Sequence, residues 1–286
     1  MAFESGQTDI EFKRIAAAHL VGAHALSRAV DWPHRLEDWQ FIESLGSGFV
    51  ALSAGRIVGT AMYWKHDARH ASIGMVIVSP SMQGRGIGGR LMSLLLDVLK
   101  GRTVFLNSTE AGMPLYEKNG FAVTGTIEQH QGVVRDLPII SLPSGERLRP
   151  IGASDALKLT TLASRASGVS RAVLLPALLA SAEGIVLDRD GVAIGFALFR
   201  RYGRGYAIGP VIAPDLDRAR ALISHWIGTR TRKFIRIDVP VDAGLTAWLV
   251  ARGLARVGSV VQMVRGAAPA CGPDARTFAI ISQALG

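Results

Sequence analysis

The chain has 286 residues, 49% of them hydrophobic and 19% charged, values that exclude a disordered chain and allow a packed core in one large or two modest domains. A single cysteine, Cys271, excludes an internal disulfide and a cysteine-built zinc site, and fits a reducing compartment. The net charge of +9 is uneven: residues 1–145 carry 13 basic and 13 acidic side chains, residues 146–286 carry 19 and 10.

The N-terminus has no basic region followed by an apolar stretch, and no apolar window is long enough to span a bilayer. A cytoplasmic protein without a membrane partner is expected. Residues 7–13 then read as a strand, and Ile15–Val30 and Leu36–Leu45 have helical spacing. Gly48–Ser53 and Arg56–Trp64 flank Ala54-Gly55, a hairpin signal. Ala71–Val78 is a strongly apolar strand ended by Ser79-Pro80, and Ile87–Leu99 is a helix opening in a glycine cluster. Val104–Leu106 is a short strand, Met113–Asn119 a short helix stopped by Gly120, and Phe121 begins another strand.

Leu142-Pro143-Ser144-Gly145-Glu146 reads as a boundary, giving domains at 1–142 and 146–286. The order after it repeats. Leu148–Ile151 is a strand, and Ala153–Ala182 supplies two helices. Gly184–Asp188, Ala193–Arg200 and Tyr206–Ile212 are strands, followed by helix Leu216–Ile227 and strand Phe234–Val239. Helix Leu245–Ala251 ends at Gly253, and Ala255–Val264 is the returning strand. The expected fold is mixed α/β, duplicated within the chain.

The strongest motif is Gln83-Gly84-Arg85-Gly86-Ile87-Gly88-Gly89-Arg90, a glycine-rich turn between a buried strand and a helix. Free N–H groups at a helix start suit a diphosphate, and glycines let it come close. No Asp or Glu lies between Asp67 and Asp97 to compete for that helix end, while Arg85 and Arg90 add cationic donors. The P-loop lysine and its Ser/Thr are absent. Gly84-Arg85-Gly86-Ile87-Gly88-Gly89 matches the dinucleotide string, but a meander of strands precedes it where a Rossmann domain would have its first βα unit.

Gln83-x-x-Gly86-x-Gly88 after a strand, followed by Leu115-Tyr116-Glu117-Lys118-Asn119-Gly120-Phe121, resembles motifs A and B of the GNAT superfamily of acetyl-CoA-dependent acyltransferases. With the element order, the resemblance covers residues 7–136. The second half resembles the degenerate acetyltransferase-like domain of the YitH/HolE type, through Ile208-Gly209-Pro210, Ile237-Asp238-Val239-Pro240 and Phe278-Ala279-Ile280. It implies two tandem domains, each a mostly antiparallel twisted sheet flanked by helices.

The resemblance further implies an N-acetyltransferase using acetyl-CoA as cosubstrate, with the acetyl group passing directly to a primary amine of a small molecule. Met75, Val76 and Val78 would lie along pantetheine, Gln83 to Arg90 would take the pyrophosphate, and Asn107 would contact the cofactor or serve as a turn former. Tyr116 would be the general acid toward the leaving thiolate. The fourth strand has no glutamate to act as base, which leaves His66, Asp67, His70, Glu110 and His130 as candidates. Asp31, Trp32, Trp39, Tyr63 and Trp64 are core residues or a face for an aromatic or cationic substrate. Histidine spacing forms no metal set.

In the second half Ile212-Ala213-Pro214-Asp215-Leu216-Asp217-Arg218 replaces the glycine loop, and Trp248-Leu249-Val250-Ala251-Arg252-Gly253-Leu254 lacks the tyrosine. One coenzyme A site per chain is expected. A non-catalytic acyl-CoA sensor and a protein-lysine acetyltransferase are the alternatives. The basic second half carries no aromatic–basic stripe or helix-turn-helix pattern, so no nucleic-acid partner is expected; a homodimer is compatible with its basic face.

Overall fold

The computed structural model describes residues 9–134 and 140–286, so positions 7 and 8 of the expected first strand lie outside the described residues. The described residues fall into two compact units: 9–64 with 73–101, and 65–72 with 102–134 and 140–286.

The first unit contains β1 (Ile10–Arg14), α1 (Leu20–Ala29), α2 (Leu36–Leu45), β2 (Ser47–Ser53), most of β3 (Arg56–Lys65) and of β4 (His70–Val78), and α3 (Ile87–Val98). Its strands run in chain order β1-β2-β3-β4, with β1–β2 and β2–β3 antiparallel. The turn between β2 and β3 has both central residues at positive φ, Ala54 at 47° and Gly55 at 75°, the conformation a two-residue hairpin needs. The expected helix from Ile15 becomes a 3-10 turn at Ala17–His19 leading into α1. On α3, Ile87, Leu91, Met92 and Leu95 are buried, one stripe at helical spacing.

Within β4, Met75 has a φ of +53°, a left-handed conformation that non-glycine residues rarely adopt, although the strand continues through it. The buried Thr60 hydroxyl of β3 donates to the Met75 carbonyl at 2.8 Å and satisfies it inside the sheet.

The second unit contains β5 (Thr103–Ser108), α4 (Met113–Glu117), β6 (Ala122–Val133), β7 (Glu146–Pro150), α5 (Ala156–Ser167), α6 (Leu174–Leu179), β8 (Glu183–Arg189), β9 (Val192–Tyr202), β10 (Gly205–Ala213), α7 (Leu216–Thr229), β11 (Phe234–Pro240), α8 (Thr246–Val250), β12 (Ala255–Arg265) and β13 (Arg276–Ala279). The strand order is β5-β12-β6-β11-β10-β9-β8-β7, with β13 added to β10. Only β10–β11 is parallel among the registered pairs.

This order contains an exchange. Strand β12, from the second half of the chain, lies between β5 and β6 of the first half, with Gln262 opposite Asn107 on one side and Gly125 on the other. Strand β6 in turn lies between β12 and β11, with His130 opposite Arg256 and Ile237. The core beside it is aromatic: Phe199 stacks on Tyr206 at 4.8 Å and on Trp226 of α7 at 5.2 Å.

The duplication is visible at residue level. Ile208-Gly209-Pro210-Val211 repeats Ile73-Gly74-Met75-Val76, and the pairing of β10 with β9 shifts register between Ile208 and Val211, at the place corresponding to the positive φ of Met75. Among the described residues no helix is long and apolar enough to cross a membrane.

Candidate active site

The turn after β4 is anchored at both ends. The Ser79 N–H donates to the Val58 carbonyl at 2.8 Å, and the Gln83 side-chain amide donates back to the Val78 carbonyl at 3.2 Å. Gly84 and Gly86 both have φ of +77°, which a side chain would strain by roughly 1–2 kcal/mol each. Gly86 caps α3 without a side chain, and the first intrahelical bond runs from the Arg90 N–H to the Gly86 carbonyl at 3.0 Å. The N–H groups of Ile87, Gly88 and Gly89 therefore point out of the helix start.

A Cβ built at Gly84, Gly86 or Gly89 would meet nothing within 4 Å. These glycines are not packing against their own chain; they leave open space in front of free donors. No acidic residue stands in the first turn, and Gln83, Gly84, Arg85, Gly86, Gly89 and Arg90 are exposed. Residues so arranged fit a diphosphate. Along β4, Met75 and Ile77 are buried while Val76 and Val78 are half-buried.

Tyr116 lies in α4, which starts with Pro114 in its first turn. The Asn119 and Phe121 N–H groups both donate to the Tyr116 carbonyl, at 2.9 and 3.1 Å, closing the helix over Gly120 at φ +80°. The ring packs edge-on to Phe121 at 6.0 Å. Burial pushes the phenol well above its usual range, so at neutral pH it is a hydrogen-bond donor.

Asn107 on β5 presents the face opposite to the buried Leu106 and Ser108. Its amide nitrogen donates to the Gln283 carbonyl at 2.9 Å, whereas its oxygen is buried with no protein partner. Part of its capacity thus goes to the C-terminal segment, and an acceptor is left over.

The five base candidates do not form one cluster. His66 stacks on Phe105 at 5.2 Å, and its Nε2 lies 3.0 Å from the Ser72 hydroxyl. Burial, reinforced by the Arg171 charge, pulls its pKa down to about 3, so it is a neutral imidazole of little basicity. Burial opposes the ionised Asp67, yet the His70 side chain and the Arg69 and His70 N–H groups outweigh it and hold the carboxyl at about 2. Glu110 is exposed in the 3-10 turn before α4. His130 is fully buried, its Nδ1 3.1 Å from the Leu254 carbonyl and its Nε2 without a hydrogen bond but 3.7 Å from the Glu128 carboxylate. It shares β6 with Glu128, which takes bonds from Thr246 and Arg256 and so faces α8.

The aromatic candidates divide. Trp39 and Trp64 are core residues with satisfied indoles, donating to the Ser27 hydroxyl at 3.1 Å and the Ile42 carbonyl at 2.8 Å; Tyr63 is buried beside Trp64 on β3. Trp32 is half-buried, 5.9 Å from the His34 ring, next to Asp31 at φ +59°.

In the second half the helix start is already filled. Asp215 caps α7, accepting the Arg218 N–H at 3.0 Å, and pairs with the Arg218 guanidinium, which also holds Glu146. Leu249, fully buried, stands in α8 where Tyr116 stands in α4. Sequence reading passed over Arg171, a buried cation in the segment between α5 and α6; its only signal was the absence of a nearby acidic residue in sequence.

Residues 18–121 match the acetyltransferase (GNAT) family, and residues 159–279 match an acetyltransferase (GNAT) domain. Over 223 residues the chain is 30% identical to the uncharacterised N-acetyltransferase YitH of Bacillus subtilis (strain 168), covering 76% of this chain and 77% of that one. The chain belongs to the GNAT acetyltransferase family. Its fold is similar to that of a Pyrococcus horikoshii protein assigned to the acetyltransferases (TM-score 0.78, 19% identity, 100% and 98% of the two chains). It also resembles a GCN5-related N-acetyltransferase from Sphaerobacter thermophilus (TM-score 0.66, 15% identity, 89% and 95%). A tandem GNAT protein from the clavulanic acid biosynthesis pathway is a further fold neighbour (TM-score 0.64, 15% identity, 90% and 98%).

Proposed function

We propose that this chain transfers the acetyl group of acetyl-CoA to a primary amine of a small molecule. The observation that carries the reading is the set of positions at Gly84, Gly86 and Gly89 where a side chain would meet only open space, in front of the free N–H groups of α3. Acetyl-CoA would supply the activated acetyl thioester. Gln83 to Arg90 hold its pyrophosphate by backbone donors, with Arg85 and Arg90 adding charge. Met75, Val76 and Val78 offer backbone to pantetheine, and the unpartnered oxygen of Asn107 offers an acceptor for an amide N–H. Tyr116 donates a hydrogen bond to the departing sulfur.

The catalytic domain is residues 1–142. Residues 146–286 form a second domain without a coenzyme A site, a reading supported by the Asp215 carboxylate at its helix start and by Leu249. The test is calorimetric titration of acetyl-CoA into the wild type and into Gly86→Asp, followed by an amine screen. One site per chain, lost in the variant, is the expected result. A folded wild type that binds no acetyl-CoA would end the reading.

A further inference from the structure

Ion pairs absorb many arginines of the second half: Arg149 holds Asp155 and Asp188, Arg218 holds Asp215 and Glu146, and Arg236 holds Asp238. One end of the sheet is different. There the turn between β9 and β10 presents Arg201 and Arg204, and the turn between α7 and β11 presents Arg232 and Lys233, all four exposed. Arg230, next to the second pair in sequence, is matched with Glu183. Among the described residues Arg204, Arg232 and Lys233 take part in no ion pair.

The backbone brings the two turns together. Strands β10 and β11 are parallel, with Tyr206 beside Ile235. One residue earlier, Gly205 abuts Phe234 so closely that a Cβ on it would stand 2.2 Å from the Phe234 carbonyl oxygen. Arg204 and Lys233, which precede these two residues, are therefore neighbours. Arg201 lies across the hairpin opposite Tyr206, its guanidinium 5.0 Å from the ring centre. Adjacent strands lie about 4.8 Å apart, so the four cations share a face roughly 10–15 Å across. Like charges this close repel one another. Arg232 also has a φ of +64°, a left-handed conformation that glycine or asparagine would hold at less cost. A cluster without counter-charges and a strained arginine within it both have a reason if an anionic partner uses them.

We propose that this end of the second domain binds an acidic, extended segment of a partner protein, whose Asp or Glu side chains meet Arg201, Arg204, Arg232 and Lys233. Arginine forks take carboxylates edge-on. Alternate side chains of an extended chain stand about 7 Å apart on one side, so a face of this width matches two or three carboxylates. A single-stranded nucleic acid fits less well, because no free aromatic face is offered for a base: Tyr202 is buried, and Tyr206 is taken up by Phe199 and Arg201. The inference goes beyond the acetyltransferase reading and does not rest on it.

The test is fluorescence anisotropy on the full chain with labelled hexaglutamate, set against hexaglutamine and a mixed-sequence RNA hexamer. Hexaglutamate is expected to bind at low salt and to weaken by about 10-fold or more at physiological ionic strength, whereas hexaglutamine should not bind. Arg204→Glu and Lys233→Glu are each expected to weaken binding by about 10-fold. Lys158→Glu makes the same change of charge at an exposed position on α5 and should leave the Kd within about 2-fold. Arg232→Gly relieves the backbone, so it should weaken binding while the Tm is kept. No binding of hexaglutamate, equal weakening by Lys158→Glu, or tighter binding of the RNA than of hexaglutamate would overturn the inference. The comparison of probes on the wild type stands even if one variant fails to fold.

Discussion

Leu249 holds in the second half the place that Tyr116 holds in the first: the N–H groups of Leu254 and Phe121 reach back to their respective carbonyls at the same 3.1 Å. Both helices then close on a glycine of nearly equal conformation, Gly253 at φ +83° and Gly120 at φ +80°. The two turns share a backbone conformation and their glycine, while the side chains differ, with a phenol at Tyr116 where the second copy has the aliphatic Leu249. The backbone turn is thus kept without the phenol, so the phenol is not needed to form it.

Tyr116→Phe is therefore expected to lower kcat by about 10²–10⁴-fold while leaving the acetyl-CoA Kd unchanged. Since burial raises the phenol far above its ordinary range, wild-type kcat should show no alkaline loss through pH 10. Steady-state kinetics across pH on both proteins reads this. A variant with wild-type kcat would reduce Tyr116 to a packing residue.

Removing the carboxylate that occupies the second helix start should not create a binding site. Asp215→Ala loses the bond to the Arg218 N–H and should cost about 1 kcal/mol of stability. Calorimetric stoichiometry should stay at one acetyl-CoA per chain, since no glycine opens the turn. A second site in this variant would mean that Asp215 alone keeps the cofactor out.

His66 gives an acid sensitivity of known sign. Its folded pKa, about 3, lies below the unfolded value near 6.5, so on acidification the unfolded chain takes up the proton first. Stability falls as pH drops below about 6.5, by up to roughly 1.4 kcal/mol per pH unit from this group. His66→Gln should flatten the decline between pH 6.5 and 4.5 in denaturant titrations. Parallel declines in the two proteins would place the acid sensitivity elsewhere.

Cutting the chain at the turn 143–145 is expected to fail in a particular way. Fragment 1–142 lacks β12 and leaves β5 and β6 with unpaired edges, so it should aggregate when expressed alone. Co-expression with 146–286 should restore solubility and acetyl-CoA binding together. A monomeric, well-folded 1–142 would show that β12 is dispensable.

The local elements were legible because local chemistry specifies them. Ala54-Gly55, Ser79-Pro80, Gly86 and Gly120 each mark a turn or helix end, and the strands and helices fall between them. The glycine turn after β4 was legible as a turn for the same reason: positive φ at Gly84 and Gly86 calls for glycine. What sequence could not carry is pairing over long separation. Nothing in Ala255–Arg265 states that its neighbours are β5 and β6, because any half-buried strand would be written that way. The strand β13 was seen only as a signature at Phe278-Ala279-Ile280. The roles of His66 and Asn107 depend on residues 105 to 176 positions away, beyond any motif.

The insertion of β12 also orders events during synthesis. Residues 103–133 leave the ribosome long before residues 255–265, yet β5 and β6 acquire their shared neighbour only when the latter arrive. Through most of translation the two strands wait as open edges, a state that favours chaperone capture and slow, non-local closure. A nascent chain stalled before residue 255 should therefore stay protease-sensitive in Thr103–Val133, and become resistant there only once the last strands have emerged.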